Sequence, residues 1–248
     1  MIGMRTFAAG ALVTLALALT ASAQEPRPTG YLAPEAVPDP LVIVGGPPAE
    51  DSPEAAAERA YFLSSRALEG SARWKQAALD ADLFGDVAHA SFACAIGKAI
   101  TVKDTPTLSR MMDRMVMDAA RSVAVLKSTF TRPRPMVGHD DAPLCVARED
   151  WMKTNSSYAS SNAAAGWAWA LVLAELYPAR ASSVLVRGRE FGENRVICGL
   201  HYASDITAGQ TMASATVAAL HANPEFLTDL ETARAELATA PAAEGCGG

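Results

Sequence analysis

The sequence predicts an all-α protein, and three observations carry that reading. In the longest periodic segment, Leu108, Met111, Met112, Met115, Val116 and Ala119 recur at helical spacing on one face. Helix start signals recur as well: Ser52 stands before Pro53 and Thr105 before Pro106, each placing proline at a first helical position. No run alternates apolar and polar residues for long enough to demand a sheet, and no internal repeat is present.

Each element follows in chain order. Residues 24–53 are rich in proline and glycine, lack a helical period, and read as an extended arm over the surface. Helix formers then run from Ala55 to Leu68. Ser71 to Leu83, with Trp74, predicts a second helix, and the Ala-rich stretch Leu83 to Ile100, with His89 and Cys94, continues the pattern. The methionine-rich segment from Pro106 to Leu126 predicts a long helix whose Met stripe belongs to the core. It ends near Arg132-Pro133, because a residue before proline is biased away from helix. Lys127 thus falls at a helix end and Arg134 in the loop beyond. Residues 136–150 read as a polar loop with Gly138 and Pro143. Ser160–Leu176, Ala181–Glu193 and His201–His221 predict three more helices, the last rich in Ala, Thr, Gly and Ser and so suited to close helix contacts. Trp151, Trp167 and Trp169 are expected in the core or at its edge. Residues 224–248 read as a tail with one weak helix.

Bulk properties narrow the function. Residues 1–23 read as a cleavable secretory signal: Arg5 is the positive n-region, Phe7 to Thr20 the apolar region, and Ala21-Ser22-Ala23 the small-residue cleavage site before Gln24. The apolar stretch is shorter than the roughly 20 residues a spanning helix needs, which disfavours a membrane anchor. The mature chain, 24–248, is long enough for one large domain, and half the residues are hydrophobic. A net charge of −6 without a basic stripe argues against a nucleic-acid partner. Cys94, Cys145, Cys198 and Cys246 allow three full pairings, among which the sequence does not choose. Cys198 reads as a buried thiol as readily as a bridge, and Cys246 sits in a Gly-rich tail. No CxxC pair suggests a zinc cage.

The chemistry concentrates in two segments. In Arg195-Val-Ile-Cys-Gly-Leu-His201-Tyr-Ala-Ser-Asp205, a histidine precedes an aspartate by four residues, so a helix would carry both on one face. A carboxylate that accepts from one imidazole nitrogen leaves the other free as nucleophile, base or ligand. Upstream, Lys127-Ser-Thr-Phe-Thr-Arg-Pro-Arg134-Pro135 adds further cations. Lys127, Arg134 and Arg195 together suit a phosphate or similar oxyanion. Either Lys127 or Arg134 alone would read as a solvated helix-end charge. His139, beside Asp140 and Asp141, lacks the spacing of a metal site, and His89 and His221 carry no motif.

These segments resemble the bacterial class A non-specific acid phosphatases of the type 2 phosphatidic acid phosphatase superfamily. That family's pattern is Lys-x6-Arg-Pro, then Pro-Ser-Gly-His, then Ser-Arg-x5-His-x3-Asp. Lys127, Arg134 and Pro135 match the first block. Arg195, His201 and Asp205 match the third, with Asn194 in place of its serine. In the second block Ser160 matches, Ala159 replaces proline, Ser161 replaces glycine, and Asn162 replaces histidine. Tyr31-Leu-Ala-Pro-Glu35 with Pro38-Asp39 resembles the start of mature members. The resemblance runs from Tyr31 to Leu220. It implies a helical bundle of the class A acid phosphatase and vanadium haloperoxidase type, built as a single domain over 24–248. It also implies a periplasmic enzyme that hydrolyses small-molecule phosphate monoesters without metal or cofactor and without stable membrane insertion; a homo-oligomer stays open.

The resemblance also implies roles. His201 attacks phosphorus and forms a phosphohistidine, Asp205 orients it, and Lys127, Arg134, Ser160, the Ser161 amide and Arg195 bind the phosphate. Asn162 stands at the general-acid position, where an amide forms hydrogen bonds but transfers no proton. Three readings follow: a slow enzyme favouring good leaving groups, a proton supplied by another group such as His139, or a phosphate-binding pseudoenzyme. A vanadate-dependent haloperoxidase is a further alternative, disfavoured by the shorter chain and the N-terminal similarity.

Overall fold

A computed structural model describes residues 28–246. Within them the chain forms eleven α-helices and no strand. The signal sequence expected at residues 1–23 lies outside the described residues.

Side-chain caps set several helix starts, that of Ser52 as the sequence predicts. Ser52 accepts from Ala55 N at 3.1 Å and begins α2, Pro53–Ser65. Ser71 accepts from Trp74 N at 3.2 Å and begins α3, Ala72–Leu79. A side-chain oxygen that takes up an otherwise unpaired first-turn N–H is what a capping residue supplies. Instead of one helix over Leu83–Ile100, the chain makes two short ones, α4 (Gly85–Ala90) and α5 (Ala93–Ile96). The break comes at Ser91-Phe92, where the Phe92 ring enters the core against Trp169 and Phe191.

The bundle is built on α6 (Pro106–Thr129), α8 (Ser161–Leu176), α9 (Ala181–Ile197) and α10 (Ala203–Leu220). Helix α8 is apolar on every side and packs against α6, α9 and α10, so it is the central helix. Met111, Met112 and Met115 of α6 are fully buried, as the stripe predicts. Small residues allow the close packing. A Cβ on Gly209 of α10 would lie 2.4 Å from the Ser160 carbonyl oxygen, so only glycine lets α10 approach the start of α8 this closely.

Both ends of the chain depart from expectation. The arm is not simply extended: it holds a 3-10 turn at Pro34–Ala36 and the short helix α1, Pro40–Ile43. Tyr31 and Leu32 are buried, and their backbone N–H groups donate to the buried Asp118 carboxylate at 2.8 and 3.0 Å. Residues 224–239, read as a tail with a weak helix, form α11, Pro224–Thr239. Its Phe226, Leu230, Ala233 and Leu237 join the main core, supplying the burial that propensity alone did not signal. Two disulfides resolve the cysteine pairing. Cys94–Cys246 fastens the C-terminal segment to α5, and Cys145–Cys198 ties the 136–150 loop to the end of α9. Cys198 is therefore a bridge, not a thiol.

Candidate active site

The predicted polar residues gather at one end of the bundle. Lys127 lies in the last turn of α6 and Arg195 in the last turn of α9, which runs four residues past the expected Glu193. After α9, Gly199 turns the chain at φ 85°. The backbone angle there favours glycine, and the side-chain ends of Leu144 and Arg66 pack into the space a Cβ would take. His201 follows in this turn. It is not on the helix: α10 begins at Ala203 and carries only Asp205 of the pair, in its first turn. The two still meet, with His201 Nδ1 3.4 Å from Asp205 Oδ2. At that length the contact orients the ring more than it bonds it, and Nδ1 has no closer partner.

Lys127, Arg134, Ser161, Asn162, Arg195 and His201 line one cavity of about 540 Å³. No Asp or Glu is among the described residues lining it. The three cations are poorly compensated. Arg195 is only 5% exposed, and its Nε and Nη1 have no hydrogen-bond partner. Burial and the neighbouring Arg134 push its guanidinium down to about 10, against the pull of Asp80. Burial likewise lowers Arg134 to about 10. Burial, reinforced by Arg134, lowers Lys127 to about 8. Lys127 Nζ donates to Ser156 O at 3.1 Å. Arg134 donates to Asn155 O at 3.2 Å, Asn155 Oδ1 at 3.1 Å and Leu200 O at 3.1 Å. Its Nη1 also lies 3.1 Å from His201 Nε2. A larger cleft of about 720 Å³ lies between the arm, α2 and α10, but Glu54 and Glu58 on its wall would repel an anion.

His201 is neutral. Burial pushes its imidazole down to about 3; the Asp205 carboxylate beside it opposes this and the Arg134 charge adds to it. Asp205 is ionised. Burial would raise its carboxyl, but the His201 contact, the Arg132 charge and the Tyr202 N–H, 2.8 Å away, hold it below the ordinary range.

Ser160 and Asn162 are engaged in ways the motif does not announce. Ser160 is fully buried, does not line the cavity, and spends its hydroxyl oxygen on Ala163 N at 3.2 Å, capping α8. Its own N–H donates to Asp205 O at 3.0 Å, which ties the start of α8 to the start of α10. Asn162 lines the cavity, and its Nδ2 donates to Ala81 O at 3.2 Å. His139 does not line this cavity. It lies in a separate one of about 640 Å³, against the Phe62 ring. Trp169 is buried as expected, but Trp151 is 47% exposed at the cavity rim.

Two groups behind the cavity carried no motif. Arg132 Nη1 donates to Asp205 Oδ1 at 2.6 Å, and Nη2 to Glu58 Oε2 at 2.6 Å. Arg132 stood in the recognised segment, but its partner Glu58 is 74 residues away, which no spacing reveals. Asp80, fully buried, accepts from Asn194 Nδ2 at 2.6 Å and pairs with Arg187. Among the described residues no three His, Cys, Asp or Glu side chains gather as a metal site, and no helix is long and apolar enough to cross a membrane.

Comparison with known proteins identifies relatives of this chain. Residues 114–228 match the PAP2 superfamily. An acid phosphatase of Zymomonas mobilis subsp. mobilis is 38% identical over 200 residues, covering 80% of this chain and 75% of that protein. A non-specific acid phosphatase of Providencia stuartii is 39% identical over 202 residues, 81% of each chain. One of Salmonella typhimurium is 36% identical over 192 residues, 77% of each.

Proposed function

The chain belongs to the PAP2 superfamily, among the bacterial non-specific acid phosphatases, and we propose that it hydrolyses phosphate monoesters through a phosphohistidine on His201. The observation that carries this reading is the cavity itself. Three cations whose charged forms are disfavoured by burial line it, no carboxylate faces them, and Arg195 presents two buried unpartnered donors beside a neutral imidazole. An anion is what such a cluster lacks.

In the proposed first step the Nε2 lone pair of His201 attacks phosphorus. The N–P bond forms as the P–O bond to the leaving group breaks, and the ester oxygen departs with the electron pair. Arg134, Arg195 and Lys127 take the charge on the three non-bridging oxygens. Asp205 balances the positive imidazole, and Arg132 with Glu58 holds Asp205 in place. Water then attacks phosphorus, the N–P bond breaks, and inorganic phosphate leaves. The donor set supplies charge without a metal. Asn162 has no proton to give, so leaving groups that depart as stable anions are favoured. Two disulfides and the N-terminal signal support an oxidising compartment, the periplasm. The Asn162 amide also favours a second reading, a phosphate-binding protein with little turnover.

The test is direct. Protein mixed with radiolabelled aryl phosphate and quenched in alkali should carry label on the His201 peptide. Folded His201→Ala should carry none and turn nothing over. Hydrolysis at the unmodified rate by the folded variant would sink the assignment.

A further inference from the structure

The cavity holds more than the phosphate site uses. Its volume of about 540 Å³ lies within the ~300–1,000 Å³ range of small-molecule pockets, so an ester group enters along with its phosphate. Beyond the cations the wall mixes polar residues, Ser128 and Asn155 among them, with apolar ones. Ala120 and Ala124 of α6 contribute only methyl groups to the lining. Trp151, the first residue of α7, Trp151–Thr154, lines the cavity too and is left 47% exposed, whereas Trp169 of α8 is completely buried and Trp167 partly so.

Trp151 is also held in place. Its Nε1 donates to Glu149 Oε2 at 2.8 Å, and the Arg134 guanidinium lies over the ring at 5.1 Å from its centroid. Arg134 in turn grips Asn155, whose N–H closes α7 by donating to Trp151 O at 2.9 Å. The indole is therefore fixed beside one of the phosphate-binding cations. A large flat side chain held at a cavity rim is a stacking platform.

We propose that Trp151 determines the leaving-group specificity of this site, stacking the ring of an aromatic phosphate ester while Lys127, Arg134 and Arg195 hold its phosphate. This rests on the anion-site reading above and names its substrate class as aryl phosphates. Two independent features then favour the same esters. Asn162 penalises leaving groups that need a proton, and Trp151 attracts those that carry a ring.

Binding of two non-hydrolysable ligands tests this without relying on turnover. Phenylphosphonate and methylphosphonate share the charged head and differ in the ring. By calorimetry, the unmodified protein should bind phenylphosphonate roughly three- to tenfold more tightly, the size of one aromatic contact. Trp151→Ala should erase that ratio while keeping methylphosphonate affinity, and Trp151→Phe should retain most of it. An unchanged ratio in Trp151→Ala overturns the proposal. So does an equal loss for both ligands, which would mean that Trp151 only steadies Arg134. Failure of both ligands to bind the unmodified protein would overturn the anion site and this inference together. A normal ratio with no hydrolysis of phenyl phosphate would leave Trp151 its role and remove only the catalytic reading.

Discussion

Nη1 of Arg134 lies 3.1 Å from Nε2 of His201. A guanidinium only donates, so Nε2 must present its lone pair, and the ring proton must sit on Nδ1, facing Asp205. The network assigns this tautomer, and it is the one a nucleophile needs. The same contact covers the atom that attacks in the proposed reaction. A phosphoryl group that draws Arg134 onto its own oxygens uncovers Nε2 at the moment phosphorus arrives.

The weakened basicity of His201 gives a first prediction. Burial, helped by Arg134, places its folded value at about 3, below the ordinary histidine value. The folded state thus binds the proton less well than the unfolded chain. The stabilisation from keeping His201 neutral is complete above the ordinary histidine value and erodes as pH falls from there toward about 3. Imidazole nitrogen shifts assigned through His201→Gln should stay those of the neutral ring down to about pH 5. A midpoint near the ordinary histidine value would show that the site is wetter than its geometry implies.

Arg195 gives a second. Its buried Nε and Nη1 lack partners, so in the free protein the charge is a cost that only an anion offsets. Arg195→Met keeps most of the volume and removes the charge. The variant should be as stable as the parent or more so in denaturant, gain far less melting temperature from phosphate, and lose on the order of 10² or more in turnover. A parent-sized phosphate shift in the variant would place the anion elsewhere.

The third concerns the packing that seats the site. Gly209→Ala would put a methyl 2.4 Å from the Ser160 carbonyl oxygen, a backbone atom that cannot turn aside. The helices must part, and overpacking of this kind costs ~1–3 kcal/mol. Because Ser160 N donates to Asp205 O at the same crossing, activity should fall along with stability. Unchanged denaturation midpoint and turnover would mean that α10 slides freely on α8.

The strength of each signal decides what was legible in the sequence. The Met111–Met112–Met115 stripe and the cap at Ser52 are local, so the helices they define were readable. The cations of the cavity were readable because Lys127, Arg134, Arg195 and His201 stand in dense, recognisable blocks. Helix α11 was underestimated because its stability comes from burying Phe226 and Leu230 against distant elements. The placement of His201 in a turn was missed because a four-residue spacing fits both a helical face and a turn running into a helix start. Arg132 with Glu58, and Asp80 with Asn194, are long-range pairs without a periodic trace. The exposure of Trp151 was unreadable for the same reason: composition places tryptophan inside, and only the fold leaves this one at a rim.

The last prediction concerns the proton that Asn162 cannot give. Its side chain lines the same cavity as His201, and its Nδ2 is held by Ala81 O at 3.2 Å. Asparagine there preserves a hydrogen-bonding position without an acid. If this position faces the ester oxygen, the barrier depends steeply on how readily that oxygen leaves unprotonated. Aryl phosphates should then turn over measurably and alkyl phosphates slowly. Asn162→His restores a proton donor and should raise alkyl hydrolysis by up to about 10² to 10⁴, the usual contribution of a general acid, with a much smaller gain for aryl esters. Ser161→Gly added to it tests whether the backbone at the start of α8 limits the new imidazole. Equal gains on both ester classes would show that position 162 does not face the leaving group. Rapid alkyl hydrolysis by the unmodified protein would show that another group supplies the proton. His139 is a poor candidate, since it lines a different cavity, and Lys127, held at about 8 and lining the same cavity as Asn162, would be the residue to replace next.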